Sequence, residues 1–86
     1  MSIYDNPSAF TQRRIDALAR TDIKVPDDLD KLFTIEREIA RGKSRRMQHM
    51  QLKYVDNFGI TFYQQTKAGE RQYVFDGDEI LSAERE

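Results

Sequence analysis

At Met50 the spacing of the apolar residues changes, and this change constrains the fold more than any other feature of the chain. Before it, Leu29, Leu32, Phe33, Ile35, Ile39 and Ala40 recur at three- and four-residue steps. After it the apolar residues alternate: Met50, Leu52 and Tyr54, then Ile60 and Phe62, then Tyr73 and Phe75. The first spacing is that of a helix with one buried face, the second that of half-buried strands.

Local signals fill in this division. Asn6-Pro7-Ser8 announces a first helix running to about Arg20, with Phe10, Ile15, Leu18 and Ala19 on its apolar side. After a connector from Thr21 to Val25, Pro26-Asp27-Asp28 reads as a second helix start, with acids at the positive helix end. Gly42 is a natural stop, but Phe33, Ala40, Met47 and Tyr54 fall seven apart, so the spacing predicts a long or kinked helix reaching the neighbourhood of His49. Asp56-Asn57-Phe58-Gly59 and Thr66-Lys67-Ala68-Gly69 end in glycines suited to hairpin loops. The expected fold is therefore α+β: two helices followed by a three-stranded antiparallel β-meander. Asp76-Gly77-Asp78 should turn the chain, a short helical tail should carry Ile80 and Leu81 back onto the body, and residues 82–86 should fray.

Only 38% of the 86 residues are hydrophobic, which limits the core of this single small domain and makes a homodimer an economical way to bury more surface. The chain has no cysteine, so thiol chemistry and disulfides are excluded, as a reducing compartment favours. No apolar run is long enough for a membrane span, and the first ten residues lack the basic-then-apolar pattern of a leader; the expected location is cytoplasmic.

The net charge of −1 conceals segregation. It is +1 over residues 1–20, −3 over 21–36, +5 over 37–53 and −4 over 54–86. The basic block holds Arg37, Arg41, Lys43, Arg45, Arg46 and Lys53, with His49 between Gln48 and Gln51. On a helix, Arg37, Arg41 and Arg45 would share one face.

Sharper chemistries fail on spacing. Gly42-Lys43-Ser44 resembles the end of a phosphate loop, but Arg37 stands where its first glycine belongs. Asp76, Asp78 and Glu79 open like a calcium loop, yet Ile80 replaces the next oxygen ligand. His49 is the only histidine and has no cysteine companion, so no metal site is expected. A winged helix-turn-helix would need a further helix joined by a tight turn. No serine sits in a nucleophile turn, and neither an enzyme nor a cofactor is expected. What remains is a small accessory protein, a protein-binding regulator or inhibitor. It would act through the basic segment (Arg37, Arg41, Lys43, Arg45, Arg46, His49, Lys53) and an aromatic strand face bearing Tyr63 and Tyr73. Its expected partner is a protein, acidic in character; the alternative is nucleic acid bound by the same cations.

Overall fold

The computed structural model describes residues 4–86. Met1 to Ile3, part of the stretch read for a leader, lie outside the described residues. One helix, α1 (Ala9–Leu18), precedes five strands: β1 (Leu32–Ala40), β2 (Lys43–Val55), β3 (Ile60–Thr66), β4 (Gly69–Phe75) and β5 (Ile80–Arg85). The strands form a single antiparallel sheet in the order β4-β3-β2-β1-β5. The first four are a meander; a 3-10 turn, Gly77–Glu79, then brings β5 back beside β1.

Helix α1 begins where its sequence signal lies. Ser8 is the cap, and its Oγ accepts from the Thr11 amide at 3.2 Å. Leu18 is buried while Phe10, expected on the same stripe, is 62% exposed. Arg20, just past the helix, donates to the Gly77 and Ile80 carbonyls at 3.0 and 3.3 Å, fastening the helix end to the turn before β5.

The second helix is absent, and its residues form β1 and β2. Turns occupy residues 25–30, where Asp28 accepts from the Lys24 amide at 2.7 Å instead of capping a helix. The helical spacing has a specific origin. Met47, Met50, Leu52 and Val55 all point inward on one strand, at steps of three, two and three. Between Met47 and Met50 the pairing of β2 with β1 slips by one residue, and between Leu52 and Tyr54 its pairing with β3 slips again. Each bulge adds one residue to a period of two, and three is the helical step. It also turns Tyr54 outward, although alternation placed it with Met50 and Leu52. The ladder, made with residues distant in sequence, decides what local spacing left ambiguous.

The strands around the glycine-ended breaks are present, but as three of five rather than a separate meander. The C-terminal residues, expected to fray, are an edge strand: Ile80 and Ala83 are buried, Leu81 is exposed, and Phe33 pairs with Arg85.

One face of the sheet carries the core: Phe33, Ile35, Met50, Leu52, Ile60, Phe62, Phe75 and Ile80 are at most 2% exposed. Leu18 and Ile23 close over it. The sheet curls around this face. β1 and β4 are three strand positions apart, about 14 Å on a flat sheet, yet the Arg37 guanidinium sits 4.9 Å from the centre of the Phe75 ring.

Candidate functional site

The basic segment is the end of the β1–β2 hairpin. On one side, β5 pairs with β1 only as far as Arg37; on the other, β3 pairs with β2 only from Met50 onward. Beyond those points the hairpin has no flanking strand, and every residue from Glu38 to Arg46 is exposed. Ala40 pairs with Lys43, and Arg41-Gly42 makes the turn, with Gly42 at φ 77°. The result is a projecting two-stranded arm carrying Arg41, Lys43, Arg45 and Arg46. None of these four forms an ion pair among the described residues.

Register distributes the cations over both faces. Arg45 lies opposite Arg37 on the core-side face, and Arg46 opposite Glu36 on the other. Ser44 donates to Glu36 at 2.5 Å, steadying the outer face. A directly opposed pair of like charges is unfavourable by itself. Arg37 turns away from Arg45 toward Phe75 and lies 3.8 Å from Glu79, but its buried Nε has no hydrogen-bond partner among the described residues. An anion placed at this pair would relieve the repulsion.

His49 stands at the root of the arm. It lies at the bulge with φ 60°. Its amide donates to Glu86 Oε2 at 2.7 Å, its Nδ1 lies 2.7 Å from Glu86 Oε1, and Thr34 donates to the same carboxylate at 2.8 Å. Hydrogen bonding from the His49 amide, reinforced by the His49 ring and the Thr34 hydroxyl, holds the Glu86 carboxyl below its ordinary range. A depressed acid stabilises the fold at neutral pH, and the contribution disappears as pH falls through its folded-state pKa. Glu86→Gln is therefore expected to lower stability at pH 7 by about 1 kcal/mol, a charged hydrogen bond discounted for solvent screening. In urea titrations the difference from the unaltered protein should shrink toward zero as pH falls below the ordinary glutamate range; a difference independent of pH would refute this role.

The sheet separates the remaining expected site residues. Lys53 and Tyr63 lie on the outer face, where Lys53 Nζ bonds Asp30 at 2.8 Å and sits 5.6 Å from the Tyr63 ring centre. The Asp30 hydrogen bond raises the Lys53 pKa, and Tyr54 beside it pushes Tyr63 up. Lys53 thus has an internal partner and does not belong with the arm. Tyr73 is cross-strand neighbour to Phe62, whereas Tyr63 faces Gln72, so the two tyrosines occupy opposite faces. Tyr63 and Tyr73, expected on one aromatic face, therefore do not share a surface.

The structure adds Met47 and Gln64, which sequence reasoning missed. With Tyr73, Arg45 and His49 they line a cleft of about 630 Å³ at the root of the arm. Gln64 donates to the Gln48 carbonyl at 2.8 Å, and its cross-strand partner is Arg71. Only strand register joins these residues, so no local motif could have announced them. Among the described residues no group of three or more His, Cys, Asp or Glu side chains is placed to hold a metal ion, and no helix is long and apolar enough to cross a membrane. No protein-family model, curated protein or solved structure matches the chain.

Proposed function

We propose that the chain binds nucleic acid through phosphate contacts made by the β1–β2 arm. The observation that carries this reading is the projecting ribbon with four cations free of ion pairs, from Arg41 to Arg46. A two-stranded ribbon is narrow enough to enter a nucleic-acid groove, and cations on both faces can meet phosphates on either side of it. The acidic remainder of the chain keeps the total near neutral, which confines attraction to the arm. This ranks nucleic acid above the protein-binding regulator or inhibitor favoured by a helical reading of the same residues.

The test is a fluorescence-anisotropy titration with duplex DNA, single-stranded DNA and RNA across a range of salt. Four phosphate contacts to a duplex imply a log–log slope of about −3.6, or roughly a hundredfold weaker binding at 200 mM than at 50 mM salt. Binding indifferent to salt, or none at low salt, would sink the proposal. The second outcome would favour a protein partner, which one feature supports: among the described residues the arm beyond Arg37 and Met50 has no flanking strand, and its edges are suited to accept an added one. That strand would come from an acidic protein in a reducing, cytoplasmic setting or from a second copy, giving a homodimer.

A further inference from the structure

The arm reading leaves open whether the cations meet paired or unpaired nucleic acid, and the cleft at the root of the arm bears on that choice. It is a shallow, open hollow of about 630 Å³, wide enough to receive a flat ring against its wall. Arg45 and Arg46 stand at it, Met47 and Tyr73 supply apolar and aromatic surface, and Gln64 supplies an amide. No carboxylate lines it, whereas four other clefts of the molecule each contain an aspartate or glutamate. Glu86, which contacts the lining residue His49, is engaged by His49 and Thr34.

Tyr63 on β3 and Tyr73 on the edge strand β4 differ in what their rings meet. Tyr63 already has the Lys53 ammonium over its face. Tyr73 packs beside Phe75, with ring centres 5.9 Å apart and planes tilted by 31°, and borders the cleft. Its hydroxyl lies 3.5 Å from Gln64 Oε1, too far for a strong bond. The Gln64 side chain is fixed by its bond to the Gln48 carbonyl, which holds its Oε1 beside the Tyr73 hydroxyl. A base paired inside a duplex cannot reach such a pocket, while a base in a single strand can turn into it with its phosphate left outside.

Resting on the arm reading, we infer that this cleft takes an unpaired nucleobase stacked on Tyr73, with the flanking phosphate held by Arg45, so that the ligand is single-stranded nucleic acid. The base edge meets the Gln64 amide and the Tyr73 hydroxyl. The arm supplies affinity through charge, and the cleft supplies the preference for unpaired strands.

The experiment compares oligo-dT and oligo-U of about twelve nucleotides, a typical single-strand site length, with a duplex of equal length, at the same salt. The intact protein should bind both single strands about tenfold or more tighter than the duplex, the scale of one base stacked on an aromatic ring. Oligo-U bound more tightly than oligo-dT identifies RNA as the source of the strand, and the reverse identifies DNA. Tyr73→Leu should remove the single-strand preference while leaving duplex affinity and the duplex salt slope unchanged; Tyr73→Phe, which keeps the ring, should retain most of it. The chain has four tyrosines and no tryptophan, so tyrosine emission reports stacking directly. Quenching by oligo-dT should persist in Tyr63→Leu and largely vanish in Tyr73→Leu, with thermal melts verifying that both variants fold. Equal affinity for single and double strands, or a Tyr73→Phe loss as large as that of Tyr73→Leu, would overturn the cleft assignment and leave the arm reading intact. Loss of all binding at low salt would remove both.

Discussion

Replacing Arg41, Lys43 and Arg45 together by glutamate is expected to reduce nucleic-acid affinity at low salt by about a thousandfold and to flatten the salt slope by about three units, one per lost phosphate contact. The same variant should be no less stable than the parent. All three side chains are exposed, and the ladder of the arm is built from backbone groups. Arg45→Glu also converts the opposed Arg37–Arg45 pair into one of opposite sign, a gain of about 0.2–1 kcal/mol. Affinity and thermal stability should therefore move in opposite directions, read by anisotropy and by thermal melting. An affinity unchanged by three reversals would show that the arm does not touch the ligand. A cooperative collapse of the fold would show that the cations serve the fold itself.

The other large effect belongs to Gly59→Ala. Gly59 is buried just before β3 with φ 153°, where only glycine is comfortable. A Cβ there would lie 2.7 Å from Val74 Cγ1 and 2.8 Å from the Phe75 carbonyl oxygen, and the second of these is backbone that cannot step aside. Asp56 holds the turn from the other side, accepting from the Phe58 and Gly59 amides at 2.9 and 3.2 Å. Backbone strain and overpacking together amount to about 4 kcal/mol, a large part of the roughly 5–10 kcal/mol expected of a domain this small. Urea denaturation should show a midpoint shifted by that equivalent. Gly42→Ala is the matched contrast: its φ is 77°, but nothing lies within 4 Å of the added methyl. About 1 kcal/mol, the penalty of the left-handed conformation alone, is expected there. Equal losses at the two sites would refute the steric account.

These residues also show where the sequence was legible. Gly59 and Gly69 were readable as hairpin punctuation because a positive φ is a local demand; Asn6-Pro7-Ser8 marked the helix start, although the capping side chain is Ser8 rather than Asn6. The arm was not readable as an arm. Glu36, Glu38 and Arg41 favour helices, and the bulges at His49 and Lys53 give Met47, Met50, Leu52 and Val55 helical intervals, so propensity and spacing agreed on the wrong element. The cations were visible one by one, but their division between two faces was not, because it depends on which residue of β1 each one meets. Tyr63 and Tyr73 separated for that reason, and Gln64 joined Tyr73 and Met47 through pairings that no short window contains.

The extra residue at His49 is absorbed by the bulge and is not passed on to the arm. Delete it while the core pairing from Met50 onward is kept, and Gln48 meets Thr34 while Met47 stays opposite Ile35, Arg46 opposite Glu36 and Arg45 opposite Arg37. The ladder would become regular and the His49 bonds to Glu86 would go, yet every cation would keep its face. The orientation of the recognition surface is thus held by pairing with β1, and a single-codon deletion at this point would leave it facing as it does.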